Sequence, residues 1–517
     1  MAEQAYLFRH ALLRDAAYQL QLPGARAHLH AVAFVLIEEV SGGRAPEPPP
    51  LRAAEGTAFK SHPSDPFAVE LAEHARLALL GQEDAVSVDL QILRSARRLY
   101  LRRAAEHSDR QFRFDASRSA WGQYAELVSG IEKVESLRRS AQAAWSGGRP
   151  RSAELLLARV LALSREVGDQ RLEGVALGSL ADVYKDTGRV EQSERTYEQV
   201  LGIHREVRDR RLEGMALANL ANIFQETGRV AQAERTYGQA LVIHREVGNK
   251  RLEGIALANL ASLYRETGRV EPAERTYAQA LSIHREVGNR RSEGMVLGNL
   301  AILYKETGRV AQAERTYEQA LAIHIEVGNR RSEGVVLGNL AALYKETGRH
   351  ESAERAYGQA IAISLEVGNR RFEGVALGNM AVLLSETGRL GEAERTALRA
   401  LAIHREIGNR RHEGVVLGSL ACLYKGTGRV EQAERTYEEA LAIHREVGHR
   451  RFEGLHLCDY SMLLLALDRF DEARSAWDTA AAILRKLGDS TSFTTRIAGM
   501  REMCAKKGVT SFESGPA

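Results

Sequence analysis

The 517-residue chain is expected to fold as an all-α solenoid, about nine helix-turn-helix units stacked into a superhelix behind a short N-terminal helical region. Three observations predict this. One segment recurs every forty residues without insertions, its apolar residues fall at helical spacing twice per copy, and glycine closes each apolar run. Composition agrees. With 44% hydrophobic and 27% charged residues the chain is globular, and 45 Gly against only 10 Pro is the bias of a glycine-punctuated repeat rather than of loops. The three or four domains that a length of roughly 150 residues per domain suggests therefore become one array with an attachment.

Two copies display the repeat. GNRRSEGMVLGNLAILYKETGR at 288–309 returns as GNRRSEGVVLGNLAALYKETGR at 328–349, differing only where Met295 becomes Val335 and Ile302 becomes Ala342. The period runs back through Gly248 to Gly168, with Arg208 the exception, and forward through Gly408 and Gly448 to Gly488. The array is read as 131–488, its terminal copies 131–168 and 451–488 the most divergent, as caps of a stack are. In the unit from Asn289, Leu297, Leu300, Ala301 and Tyr304 form one face of a first helix. Ala313, Tyr317, Ala320, Leu321 and His324 form one face of a second. Gly308 and Gly328 suit the left-handed position that ends a helix, and Asn289 is the N-cap, with Glu293 opposing the dipole in the first turn. Neither helix can bury its stripe alone, so successive units must stack.

The first 130 residues break the period. Residues 6–39 read as helix with an interruption at Pro23-Gly24, which makes 1–40 a helical segment. Pro46, Pro48, Pro49, Pro50, Pro63 and Pro66 crowd the next stretch, so 41–66 reads as a linker. Pro66 then opens a helix through Leu80 with Asp65 as its cap, and amphipathic stretches at 84–107 and 109–128 complete a helical bridge over 67–130. Residues 489–517 read as a capping helix and tail.

The pattern Leu-x-x-Leu-Ala-x-x-Tyr, Thr-Gly-Arg, Ala-x-x-x-Tyr-x-x-Ala resembles the tetratricopeptide repeat. Leu297, Leu300, Ala301, Tyr304, Gly308, Ala313, Tyr317 and Ala320 carry it. A period of forty rather than 34, with no terminal proline, resembles the longer-helix variant of kinesin light chains and spindle-orientation scaffolds. The resemblance implies a right-handed superhelix whose first helices line a concave groove for a protein or peptide partner. The run FRHALLRDAAY at 8–18, with Ala72-Glu73-His74, resembles the region after the ATPase core of bacterial signal-transduction ATPases. That likeness implies an alternative, the regulatory C-terminal part of such an ATPase. Its nucleotide-binding half would lie outside this chain, and a separately encoded ATPase or kinase component would be the partner.

Other classes are disfavoured. Lys+Arg 71 against Asp+Glu 68 leaves a net charge of +3, which demands neither nucleic acid nor an anionic membrane. No phosphate loop, HExxH, GxSxG or GxGxxG occurs, so no catalytic residue and no cofactor is assigned, and the reading is of an interaction protein rather than an enzyme. Cys422, Cys458 and Cys504, with no CxxC pair, suit a reducing, cytoplasmic compartment. No apolar run has the length of a membrane helix or of a signal peptide's core. His204, His244, His284, His324, His404 and His444 form a ladder, but equivalent positions in neighbouring units stand ~10 Å apart. Ligands of one zinc ion must lie within roughly 2 Å of it, so the ladder is read as helix packing. The basic pairs, from Arg210-Arg211 through Arg290-Arg291 to Arg450-Arg451, are read as a rim ridge used in ion pairs with acids such as Glu293, Glu306 and Glu314. Tyr304 and Tyr317 go to the core, which leaves no stacking platform for bases.

The groove is the candidate site. Met295, Asn299, Ile302 and Glu306 lie opposite the packed stripe at i, i+4, i+7, i+11. Asn recurs at the second position as Asn219, Asn259, Asn299, Asn339 and Asn379, with Ser179, Ser419 and Asp459 outside. A carboxamide donates to and accepts from a peptide backbone at once, which suits a ligand of undefined sequence. The third position runs from polar Asp182, Asn222 and Ser262 to apolar Ile302, Ala342, Val382 and Cys422, which predicts an amphipathic segment bound in one direction. Capture of a C-terminal carboxylate is not expected, because Met295 and Gly298 stand where a carboxylate clamp carries basic residues. Gly294 and Gly298 sit inside a helix at a cost of ~1 kcal/mol each against Ala. They predict a close approach, either of neighbouring helices or, at Gly298, of a ligand backbone.

Overall fold

The computed structural model describes residues 21–51, 59–81, 88–111, 113–487 and 490–512. The run at 8–18, and the helix expected upstream of Pro23, lie outside the described residues. The chain divides into two compact units, Met1–Leu180 and Ala181–Ala517. Among the described residues every regular element is a helix.

In the first unit, α1 (Pro23–Val40), α2 (Ala68–Ala78), α3 (Leu90–Arg110) and α4 (Phe114–Ala125) precede the pair α5 (Gly130–Ser146) and α6 (Pro150–Val167). Phe34, Leu71, Leu93, Tyr100 and Trp121 form their buried core. Asp89 caps α3, accepting from the Gln91 N–H at 2.7 Å. The cap expected from Asp65 does not form. Asp65 is buried and its Oδ1 receives Arg103 Nε at 2.7 Å, because a buried guanidinium needs a charged partner more than a short helix needs a cap. Arg103 also donates to the carbonyls of Pro46 and Lys60 at 2.7 and 2.9 Å, which ties the proline-rich stretch to α3.

Helix α7 (Gln170–Asp186) begins in the first unit and ends in the second, where it is followed by α8 (Val190–Glu206). Seven further pairs follow. They are α9 (Arg210–Glu226) with α10 (Val230–Glu246), α11 (Lys250–Glu266) with α12 (Val270–Glu286), and α13 (Arg290–Glu306) with α14 (Val310–Glu326). Then come α15 (Arg330–Glu346) with α16 (His350–Glu366), α17 (Arg370–Glu386) with α18 (Leu390–Glu406), and α19 (Arg410–Gly426) with α20 (Val430–Glu446). Last are α21 (Arg450–Ala466) with α22 (Phe470–Leu487), and a closing helix α23 (Ser490–Lys507). Odd numbers from α7 to α21 are thus first helices, and with α5 and α6 the described residues hold nine helix pairs in chain order, as the repeat predicts.

The turns follow from the sequence. Gly308 and Gly328 take φ of 73° and 65°, and the helix end before Gly308 closes with Gly308 N–H to Lys305 O at 3.0 Å and Arg309 N–H to Tyr304 O at 2.8 Å. Arg208 adopts φ 55° without glycine's freedom, so the stack imposes the turn even where the period lapses. Asn289 caps α13 through the Ser292 N–H.

In five of the pairs, the second helix presses a histidine onto a glycine of the first. His324 is fully buried, and a Cβ on Gly294 would lie 2.7 Å from its Cε1. Gly254 with His284, Gly374 with His404 and Gly414 with His444 repeat the contact, and Gly214 makes it with His244. Where Ser364 replaces histidine, the nearest atom to a Cβ on Gly334 is Ile363 at 3.3 Å. Burial, then the nearby Arg291, pushes His324 down to about 4, and burial with Arg371 does the same to His404. These imidazoles are neutral filling. The nearest atom to a Cβ on Gly298 is Val336 at 3.7 Å, on the next first helix, an ordinary packing distance.

Tyr304 is corrected too. It is half-buried on the seam between pairs, where Arg309 lies 4.4 Å above its ring and donates to Glu274 at 2.9 Å. Arg229, Arg269, Arg349 and Arg429 repeat this sandwich on Phe224, Tyr264, Tyr344 and Tyr424. No described helix is long and apolar enough to cross a membrane.

Candidate functional site

The stripe of Met295, Asn299, Ile302 and Glu306 remains open to solvent, with Met295 44% exposed. It faces the interior of the second unit. Asp186 is the counterpart of Glu306 on α7, and its Oδ2 lies 3.4 Å from Arg371 Nη1 at the start of α17. Two stripes 185 residues apart therefore meet.

Arg371 belongs to this stripe by helix geometry. Four residues before Met295 stands Arg291, so the second residue of each basic pair heads the stripe: Arg251, Arg291, Arg331, Arg371 and Arg411. Adjacent residues on a helix point about 100° apart. The first residue of each pair therefore turns elsewhere, as Arg290 does to Glu293 at 2.7 Å and Glu326 at 2.6 Å. Burial pushes the Glu293 carboxyl up, and hydrogen bonds from Arg285 and Arg290 more than reverse it. The ridge read as a single ion-pair network is thus two features, an outer paired column and an inner rail. Extending the stripe by one turn would have found the rail.

The third position also changes meaning. Asp182 Oδ1 accepts from the buried Tyr197 hydroxyl at 2.5 Å, Asn222 accepts from Tyr237, and Ser262 and Cys422 Sγ lie 2.9 and 3.0 Å from the hydroxyls of Tyr277 and Tyr437. Burial raises the Asp182 carboxyl above the usual carboxylate range. These polar residues satisfy the tyrosine of their own pair, so the polar-to-apolar gradient is a packing feature first. Ile302 and Ala342 offer Tyr317 and Tyr357 no such partner, and in the unit of Val382 the tyrosine position is Ala397, which has no hydroxyl.

The Asn column divides as well. Asn219 Nδ2 donates to the Tyr197 hydroxyl at 3.0 Å. Asn259, Asn299 and Asn339 are half-exposed and Asn379 is exposed, none with a hydrogen-bond partner among the described residues. At the far end of the stripe the acids are engaged sideways: Glu306 by Arg265 at 2.5 Å, Glu346 by Lys305 at 2.7 Å and Glu386 by Lys345 at 3.1 Å. Toward the C-terminus the stripe is covered, since Arg496 of α23 donates to Asp459 at 3.1 Å. What stays open, along α11 to α17, is a track of guanidinium and carboxamide groups over a tyrosine floor. It can bind and orient an extended chain.

Comparison with known proteins agrees with this architecture. The family model for the tetratricopeptide repeat matches residues 212–286, 292–366 and 372–446, and a second model of the same description matches 176–211, together half of the chain. No curated protein sequence matches. Among solved structures, BtubC from P. vanneervenii is 25% identical, covering 42% of this chain and 91% of its own, with a TM-score of 0.36. A Rap protein complexed with competence and sporulation factor is 14% identical over 74% of this chain and 94% of its own, TM-score 0.45. A signal transduction ATPase with numerous domains and a tetratricopeptide repeat sensor, from Pyrococcus horikoshii, is 16% identical over 76% of this chain and 56% of its own, TM-score 0.43.

Proposed function

Because this chain belongs to the tetratricopeptide repeat family, whose arrays serve as protein-interaction scaffolds, we propose that it binds a peptide segment of a partner protein along the inner stripe of α11 to α17. Asn259, Asn299, Asn339 and Asn379 hold the ligand's backbone. The observation that carries this reading is the division of the Asn column: one carboxamide bonds within the array, while three half-exposed and one exposed have neither donor nor acceptor used among the described residues. Carboxamides ~10 Å apart match every third residue of an extended chain at roughly 3.3 Å per residue. The register is therefore compatible with continuous backbone contact. Side chains of the ligand then face Met295, Ile302 and their counterparts, which supply shape but little charge.

The test is selection of peptides from a random display library on the full chain, followed by affinity measurement on the Asn259→Ala, Asn299→Ala, Asn339→Ala variant. Each lost bond is worth about 1 kcal/mol, so the triple variant should weaken binding about a hundredfold while melting at the wild-type temperature. Unchanged affinity would sink the proposal.

A further inference from the structure

The second helices carry a lapse in the repeat, outside the stripe of the first helices. In six copies an arginine near the end of the second helix reaches the first-turn glutamate of the next first helix. Arg165 bonds Glu173, Arg205 Glu213, Arg245 Glu253, Arg285 Glu293, Arg405 Glu413 and Arg445 Glu453, at 2.6 to 3.1 Å. Two copies lack that arginine. Ile325 of α14 and Leu365 of α16 stand in its place, 58% and 49% exposed. We propose that Ile325 and Leu365 frame a docking surface for a partner protein's helix, which brings an arginine or lysine to the orphaned carboxylate of Glu333.

The two copies differ in how they meet the loss. Glu373 keeps both oxygens bonded, Oε2 accepting from Arg370 at 2.6 Å and Oε1 from Arg399 of α18 at 3.0 Å. One repeat before Arg399 stands Gln359, which has no charge to offer Glu333. Glu333 is only 6% exposed. Its Oε1 accepts from Arg330 at 2.6 Å, while Oε2 is buried with no hydrogen-bond partner among the described residues. A buried carboxylate oxygen without a donor is destabilising, and a charged donor relieves it most. The route from the surface is one side chain long. In the preceding copy Arg285, 59% exposed, reaches Glu293, which is 4% exposed. Ile325 stands on the same route, and an exposed side chain changes rotamer freely.

The surroundings set the occupant. Arg330 of α15 bonds both Glu333 and Glu366 of α16, at 2.6 Å each, so Glu333 lies between α14 and α16. One turn before Ile325 and Leu365, the half-buried Leu321 and Ile361 widen each apolar footing. Equivalent positions on neighbouring second helices stand ~10 Å apart, and seven residues of helix rise roughly the same distance at ~1.5 Å each. A partner helix with apolar residues at i and i+7 therefore rests on both footings and holds the residue at i+3 or i+4 over Glu333. Apolar footings alone accept many helices. The carboxylate between them selects one that is basic at its centre, because burying Glu333 further under an apolar or acidic residue leaves Oε2 without a donor.

The experiment is selection on the full chain from a phage library of helical peptides, with Leu fixed at i and i+7 and all other positions random. Excess soluble Ile325→Arg chain serves as competitor. That variant restores the pair present in six copies, so it should melt above wild type and lose the site. Enriched peptides should carry Arg or Lys at i+3 or i+4. By fluorescence anisotropy, synthetic copies should bind wild type about tenfold more tightly than Ile325→Arg. Norleucine in place of the peptide's cation should cost about the same factor. Ile325→Ala, Leu365→Ala removes the footings without touching the buried carboxylate and should also weaken binding about tenfold. No enrichment, enrichment without a cation, equal affinity for Ile325→Arg or for the double Ala variant, or an Ile325→Arg chain that melts below wild type would each overturn the inference. The triple Asn variant should bind these peptides as wild type does. Loss of binding there would place them in the groove, which removes this surface and leaves the groove reading standing.

Discussion

The outer seam and the inner groove use the same residue to opposite ends. At the seam, Arg309 lies over Tyr304, donates Nε to Thr307 Oγ1 at 3.0 Å and bonds Glu274. Its capacity is filled by the array. On the groove side of the same solenoid, Arg331 stands in line with Arg291 and Arg371, and Asp186 of α7 reaches Arg371. The difference teaches where to look in a repeat protein whose motifs name no chemistry. Groups satisfied identically in every copy build the stack.

Acid should separate the two sides most strongly. Burial holds His244 and His284 below the ordinary imidazole value and His324 and His404 near 4, while the unfolded chain titrates near 6.5. Their contribution is complete above about pH 6.5 and is lost as pH falls toward about 4, because the unfolded state binds the protons first. Each histidine then costs up to about 1.4 kcal/mol per pH unit. Urea midpoints should fall steadily from pH 7 to pH 5, and flat midpoints would contradict neutral histidine filling.

Next in size is Gly294→Ala. The new methyl meets the His324 imidazole at 2.7 Å, and overpacking should outweigh the ~1 kcal/mol gain in helix propensity, for a net loss of about 2 kcal/mol. Gly334→Ala has only Ile363 at 3.3 Å to displace and should be close to neutral. Equal losses at the two sites would show that histidine is not what the glycine admits. The smallest effect bears on the comparison itself. Arg309→Gln should lose about 1 kcal/mol with the seam sandwich, whereas Arg331→Gln should lose nothing in a thermal melt.

The fold was legible because the period is strict: apolar spacing, glycine stops and the Asn289 cap all appear in the structure where the repeat places them. Gly294 was legible as a close approach, though not its imidazole partner thirty residues on. The groove was legible in part. Asp182, Asn222 and Ser262 looked like ligand contacts because the tyrosines they serve lie fifteen residues downstream, a pairing set by how two helices face each other rather than by local pattern. The Arg rail was hidden inside a dipeptide. Arg290-Arg291 reads as one basic feature until the 100° step between neighbours sends its halves to different faces. The contact of Asp186 with Arg371 joins residues 185 positions apart within the second unit, which no local spacing encodes.

The central claim is that ligand binds the inner stripe of the first helices. Photo-crosslinking tests it directly, with benzoylphenylalanine placed at Met295 in the groove or at Val242, which is 52% exposed on a second helix. A library-selected peptide should crosslink at position 295 and not at 242. Crosslinking at 242 alone, or equally at both, would contradict the account.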